Sequence, residues 1–138
     1  MKKLTFMLFA LLLMAVACKE KENSLALLRA NKWTLKTMTL EGTEKTNPEE
    51  LPVLEFSDST AVYGSAGCNR FFGFYKVDEE KLTLRPEGAT MMACPDLEFE
   101  DAYLKALEEV ESYAIMEGEL KLSGRKGFLM LVYVKSEE

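Results

Sequence analysis

Short segments of alternating apolar and polar residues, separated by turn residues, are the feature that most limits how this chain can fold. Alternation with a period of two is typical of strands that bury one face. Turn residues such as 57–59 (Ser-Asp-Ser) and 78–80 (Asp-Glu-Glu) stand between the segments, as hairpins require. A mainly antiparallel sheet is therefore predicted. Its strands are Trp33–Leu40, Val53–Phe56, Thr60–Gly64, Arg70–Val77, Lys81–Arg85, Tyr113–Met116, Leu120–Leu122 and Phe128–Val134.

Strict alternation in the first strand places Trp33, Leu35, Thr37 and Thr39 on one face. Two helices complete the pattern. A short N-terminal helix begins at Ser24, and one long helix spans about 96–113, with Asp96 as its N-cap. The long helix carries an apolar stripe, formed by Leu97, Tyr103, Leu104, Leu107 and Val110.

These elements predict a small α+β domain. Its antiparallel sheet is a partly open β-barrel or a strongly curved sheet, and the long helix covers one side or end. With 138 residues, the chain is long enough for one core and too short for two domains.

The first residues have the pattern of an export signal. Lys2 and Lys3 precede an apolar run from Leu4 to Ala17, which as a helix would rise roughly 21 Å, less than the roughly 30 Å of a bilayer core. The run ends at Ala15-Val16-Ala17-Cys18, which resembles a bacterial lipobox. The resemblance implies cleavage before Cys18 and attachment of acyl chains, palmitate among them, to that residue. An ordinary cleavage site at the same place and a permanent membrane span are the alternatives.

The predicted organisation is a lipoprotein signal peptide at 1–17, a charged linker at 18–24 and one domain at 25–135. Several acyl chains hold a protein on a membrane almost permanently. Lys19 stands where some lipoproteins carry the Asp that keeps them on the inner membrane, so the outer membrane is favoured. The expected location is the cell envelope, lipid-anchored, facing the periplasm or the cell surface.

Charge and composition exclude several functions. The chain has 17 basic and 23 acidic residues, a net charge of -6, which does not favour nucleic-acid binding. It contains no histidine, which rules out His-dependent triads, Cys-His nucleophiles and His-based zinc sites. We therefore predict a protein that is not an enzyme and needs no cofactor.

Two motifs stand in a fixed order. From the third predicted strand into the fourth run Gly67, Cys68, Asn69, Arg70 and Phe71, and before the long helix lie Thr90, Met91, Met92, Ala93 and Cys94. Together with Trp33, they resemble the META or HslJ-like domain family. The resemblance implies a small, partly open β-barrel with a helix, in envelope lipoproteins or exported proteins often linked to heat or drug stress.

Cys68 and Cys94 remain if Cys18 is acylated, and in an oxidising compartment they predict a disulfide. Two buried free thiols are the alternative. A Cu(I) site formed with Met91 and Met92 is chemically possible. Methionines in such a segment more often fill the core, so no metal is predicted.

The long helix is strongly acidic, and we expect a solvent-exposed face that could meet a protein partner with a basic surface. The leading hypothesis is a monomeric, non-enzymatic envelope lipoprotein that serves as a structural or binding module. The alternatives are a carrier of a lipid or small apolar ligand within the curled sheet, and an assembly partner of another envelope protein. The face is formed by Glu98, Asp101, Lys105, Glu108 and Glu109.

Overall fold

The computed structural model describes residues 23–137. The predicted signal peptide, Cys18 and most of the predicted linker lie outside the described residues. In the described part of the chain, no helix is long and apolar enough to span a bilayer.

The described residues form two helices and nine strands. Helix α1 covers residues 23–30. A single 3-10 turn at Arg125–Gly127 precedes the last strand. The other elements are β1 (Lys32–Leu40), β2 (Thr43–Glu44), β3 (Val53–Phe56), β4 (Ala61–Ser65), β5 (Arg70–Asp78), β6 (Lys81–Ala89), α2 (Leu97–Glu108), β7 (Val110–Met116), β8 (Glu119–Gly124) and β9 (Leu129–Lys135).

Eight of the strands close into an antiparallel barrel. Strands β1 and β3 to β9 pair in sequence order, β1 also pairs with β9, and β2 adds a short hairpin to the edge of β1. Between β6 and β7, the described chain shows a single register pair, Lys81 with Ser112, so the barrel is weakest there. Helix α2 connects these two strands and packs against β6. The predicted α+β barrel with one long and one short helix is confirmed.

The barrel interior is filled by side chains. Trp33 is fully buried and donates its indole N–H to the carbonyl of Leu28 in α1, at 3.0 Å. The hydroxyls of Tyr103 and Tyr133, from α2 and β9, bond each other at 2.9 Å. Burial raises the pKa of both tyrosines well above the usual value. The core thus joins both helices to the sheet.

A polar contact also fixes α1. Arg29 donates its Nε–H to the hydroxyl of Tyr75 at 2.8 Å, and that hydroxyl donates to the carbonyl of Ser57 at 2.6 Å. The pKa of the nearby Tyr113 is raised, mainly by burial.

Helix α2 is shorter than predicted. The predicted end near residue 113 is wrong, because α2 ends at Glu108 and the next strand begins at Val110. Val110 and Tyr113 are buried in the barrel as part of β7, where they pair with β8. Asp96 occupies the N-cap position, but its side chain makes no capping hydrogen bond.

The first strand does not alternate strictly. The register between β1 and β9 shifts between Leu35 and Thr37, which leaves Lys36 as an extra residue. A bulge of this kind turns the following side chains to the other face. Consequently Met38, not Thr37, joins Trp33 and Leu35 in the core.

Candidate functional site

The first motif forms the tight turn between β4 and β5. The backbone N–H of Ala66 donates to the carbonyl of Asn69 at 2.8 Å. Gly67 has a φ of 126°, a conformation that favours glycine. A Cβ there would also lie 3.2 Å from the carbonyl oxygen of Glu50 and 3.4 Å from a carboxylate oxygen of Glu100. Glycine at position 67 therefore suits both the backbone conformation of the turn and its close approach to the backbone of Glu50.

The turn is held by the carboxylate of Glu100, in the first turns of α2. Oε1 accepts the backbone N–H groups of Cys68 at 2.7 Å and Asn69 at 3.1 Å. Oε2 accepts the side-chain amide of Asn69 at 2.9 Å. The Glu100 side chain is buried, and its three donors replace the water it has lost.

Asn69 links this turn to the second motif. Its Oδ1 accepts the hydroxyl of Thr90 at 3.0 Å and the backbone N–H of Met92 at 2.8 Å. The hydroxyl of Thr90 in turn accepts the backbone N–H of Arg70 at 3.0 Å. A single buried amide thus joins the β4–β5 turn, the segment after β6 and α2.

Cys68 and Cys94 form a disulfide beside this network, with an S–S distance of 2.01 Å and a sequence separation of 26. The sulfur atoms and the carboxylate of Glu100 lie within 4.8 Å of one another, close enough for a three-ligand metal site. Metals bind the thiolate form of cysteine, which a disulfide does not offer. In this state, the residues fit a covalent link and not a metal.

We refer to Cys68, Asn69, Thr90, Cys94 and Glu100 as the clamp. The described chain has no buried side-chain nitrogen or oxygen without a hydrogen-bond partner, so the buried polar atoms of the clamp are all bonded within the domain. Neither a free thiol nor a histidine stands there to act as a nucleophile or a base. The geometry braces three segments of chain.

Sequence analysis missed Glu100. Glu100 stands three residues before Tyr103, which places both side chains on the same face of the helix. Because Tyr103 belongs to the apolar stripe, this spacing is the signal in the sequence that Glu100 is buried. Acidic residues are seldom buried in proteins, so the sequence predicts a solvent-exposed position for Glu100, as for the other acids of this helix.

The other motif residues divide between core and surface. Trp33 is buried, and so is Phe71, whose ring meets that of Tyr103 at 6.3 Å. Arg70 and Ala93 are exposed. The expectation that Met91 and Met92 fill the core is wrong, because 96% of Met91 and 52% of Met92 is exposed. They follow β6 in a segment without regular structure, beyond the reach of the barrel interior.

The predicted partner face is exposed at all five positions, which are Glu98, Asp101, Lys105 and Glu108 on α2 and Glu109 directly after it. The last three also line a cavity of about 960 Å³. Leu40, Phe128 and Leu129 supply apolar lining, and Phe128 is 60% exposed. We call this cavity the α2 groove. Glu98 and Asp101 do not line it.

Comparisons with known proteins agree with this architecture. A protein from Burkholderia xenovorans, solved by NMR, is 28% identical, with a TM-score of 0.69 over 82% of this chain and 86% of its own. A second NMR structure is 24% identical, with a TM-score of 0.54 over 77% of this chain and 89% of its own.

A crystal structure of a DUF4847 family protein from Bacteroides vulgatus is 11% identical. Its TM-score is 0.60 over 80% of this chain and 96% of its own, which shows a common fold. No curated protein sequence matches the chain. The family model of the META domain matches residues 26–137, which cover the barrel, both motifs, all of α2 and the greater part of α1, and the chain therefore belongs to the META domain family.

Proposed function

We propose that this protein is a lipid-anchored protein of the bacterial cell envelope whose META domain is a non-enzymatic structural and binding module. One observation carries the structural part of the proposal. The clamp residues form bonds within the domain, since Glu100 and Asn69 bond to the chain itself and Cys68 is bonded to Cys94. The clamp, where most of the polar and sulfur-containing motif side chains lie, therefore serves to hold the fold together.

The anchor is supported by the sequence alone. Cys18 ends an apolar run and is followed at once by the charged stretch Lys19–Glu22. A thioether-linked diacylglycerol with a further acyl chain would give nearly permanent membrane attachment. The residue after the cysteine favours the outer membrane, and the domain would face the periplasm or the cell surface.

The α2 groove is the surface best suited to a protein partner. Lys105, Glu108 and Glu109 form part of its rim, and Phe128 offers an exposed aromatic side chain beside them. An exposed aromatic residue bordered by charges is typical of binding surfaces. The acidic side of α2 suits a partner with a basic surface.

The carrier hypothesis has less support. In the described part of the chain, the inside of the barrel is occupied by core side chains, of which Trp33, Tyr103 and Tyr133 are the largest. Such an interior leaves a lipid no place unless the core rearranges. A role in heat or drug tolerance is implied by the family resemblance and belongs to this proposal.

Expression of the full chain in a Gram-negative host tests the anchor. The wild-type protein is expected in the membrane fraction with the intact mass of a triacylated chain beginning at Cys18. Cys18→Ser should lose the acyl mass and leave that fraction. An unmodified wild-type chain in the soluble fraction would overturn the proposed anchor.

A photo-crosslinking amino acid at position 109 tests the groove in intact cells of the native host. Position 114 is the matched control, because Ala114 is also exposed but does not line the groove. We expect one discrete crosslinked protein from position 109 and none from position 114. Identical patterns from both would contradict a partner at the groove, and a deletion strain with normal heat and envelope resistance would end the stress role.

A further inference from the structure

Strand β5 has different side chains on its two faces. Phe71 and Tyr75 point into the barrel and are buried. The alternate residues Phe72 and Phe74 point outward and remain 58% and 50% exposed. Core packing thus accounts for only two of the four aromatic residues in 71–75, and the other two large aromatic side chains lie on the surface.

The outward aromatic residues form a continuous patch. Tyr63 of β4 pairs directly with Phe72 across the strands and is 44% exposed. On its other side, Phe72 pairs with Gly88 of β6, and its ring lies over that glycine. A Cβ at Gly88 would come within 2.8 Å of the ring. Glycine at this position leaves room for the phenyl ring against the sheet.

Cations flank these aromatic side chains. Along β5, the exposed residues run Arg70, Phe72, Phe74, Lys76 and Asp78, so a cation stands on either side of the two phenylalanines. Arg85 of β6 pairs with Phe74 across the strands. We call Tyr63, Phe72, Phe74, Arg70, Lys76 and Arg85 the aromatic face.

Acids border the aromatic face and neutralise part of its charge. Glu55 of β3 pairs with Tyr63 across the strands and is ion-paired with Lys32 at 3.6 Å. Glu87 is ion-paired with Arg85 at 2.7 Å. The acids of residues 78–80 lie at the β5–β6 turn, at one end of the hairpin. The positive charge beside the two phenyl rings therefore comes from Arg70 and Lys76 of β5.

We propose that the aromatic face docks on the anionic phospholipid surface to which the chain is anchored. The inference rests on the proposed acylation of Cys18. Aromatic side chains prefer the boundary between headgroups and acyl chains, and nearby Lys and Arg attract anionic headgroups. The row of two cations and two phenyl rings on one strand matches both preferences.

The anchor makes weak docking sufficient. Residue 23, where α1 is first described, lies five positions after Cys18, and five extended residues span at most roughly 17 Å. A short tether keeps the domain near the membrane, which raises the effective concentration of the aromatic face at the lipid surface. A face with low intrinsic affinity for lipid can therefore stay bound. Docking would hold the domain in one orientation on the membrane.

Quenching by brominated lipids tests the proposal on the acylated full-length protein, reconstituted in vesicles of three parts phosphatidylethanolamine to one part phosphatidylglycerol. Phe72→Trp reports on the aromatic face. Phe128→Trp is the matched control, since Phe128 is 60% exposed at the α2 groove. The native Trp33 is fully buried and supplies a constant background, which also shows that both variants fold.

We expect lipids brominated near the glycerol end of the acyl chain to quench the indole introduced at position 72 at least threefold more than the one introduced at position 128. Adding Arg70→Glu and Lys76→Glu to Phe72→Trp should abolish that difference. Equal quenching at the two positions, or none at either, would overturn the proposal. So would a protein crosslinked from position 72 in cells in the absence of quenching, because the face would then bind a protein.

Intact mass on the same sample separates the two proposals. An acylated Phe72→Trp chain whose introduced indole is not quenched overturns the docking alone and leaves the anchor standing. A chain without acyl mass overturns the anchor and, with it, the docking that rests on it.

Discussion

The clamp and the aromatic face adjoin at Asn69 and Arg70, yet the clamp buries polar groups while the aromatic face exposes apolar ones. Asn69 is polar and buried, and each side of its amide has a partner inside the domain. Phe72, three residues on, is apolar and more than half exposed. Buried polar groups are costly unless bonded, so the first arrangement maintains the fold. Exposed apolar clusters mark binding surfaces, so the second serves interaction.

Removing the Glu100 carboxylate should break the clamp and give the largest effect. Glu100→Ala leaves the N–H groups of Cys68 and Asn69 and the Asn69 amide without their acceptor, which should cost about 3–5 kcal/mol of unfolding free energy. Glu100→Gln keeps one acceptor and should cost about 1–2 kcal/mol. Urea unfolding measures both. A loss below about 0.5 kcal/mol for Glu100→Ala would show that the clamp does not hold the fold.

The disulfide should rank next. Removing the covalent link with Cys68→Ser and Cys94→Ser frees a loop with a sequence separation of 26, which costs about 3–4 kcal/mol in the chain-entropy model. Thermal unfolding of this variant should match that of reduced wild-type protein. A reduced protein as stable as the oxidised one would place the strength of the clamp in its hydrogen bonds alone.

The hydrogen-bonded pair of Tyr103 and Tyr133 is a second set of buried polar groups, and it lies in the barrel core. Burial raises the pKa of Tyr103 and Tyr133 in the folded state, while an unfolded tyrosine has a pKa near 10. Their contribution to stability is therefore complete below about pH 10 and is lost as the pH rises towards the folded-state pKa.

Between about pH 9 and pH 11, the unfolded chain releases these two protons and the folded chain keeps them. The two tyrosines should therefore lower the unfolding free energy by about 2.7 kcal/mol over this range, a mean slope of about 1.4 kcal/mol per pH unit. The double variant Tyr103→Phe and Tyr133→Phe should lose that slope. Urea unfolding between about pH 9 and pH 11 measures it, and an unchanged slope would contradict the burial of both hydroxyls.

The aromatic face should give the smallest effect on stability. Phe72→Ser and Phe74→Ser remove side chains that are already half exposed, so each should change the unfolding free energy by about 0.5 kcal/mol or less. Phe71→Ala, on the same strand but buried, should cost about 3–5 kcal/mol. Similar losses at positions 71 and 72 would remove the distinction between the two faces of β5.

The barrel could be predicted from the sequence because its strands are short, alternate and end in recognisable turns. Lys36 could not be identified as a bulge, since bulges depend on the register with β9. The beginning of β7 at Val110 was hidden, because Val110 also fits the apolar stripe of the preceding helix. In both places, pairing with a distant strand overrode the local pattern.

The two regions differed in how well they could be predicted. Cys68, Asn69 and Cys94 stood out as motif residues, but their acceptor Glu100 resembled the solvent-exposed acids around it. The aromatic face was missed for another reason. Aromatic residues occupy both faces of β5, so alternation alone could not tell which ones lie outside.

The central claim is that the clamp acts as one structural unit, and a double-mutant cycle between Asn69 and Glu100 tests it most directly. Urea unfolding of Asn69→Ala, Glu100→Ala and the double variant gives the coupling energy. Because each side chain satisfies the other, the double variant should lose at least about 1 kcal/mol less than the sum of the single losses. Losses that add to within about 0.3 kcal/mol would contradict the claim.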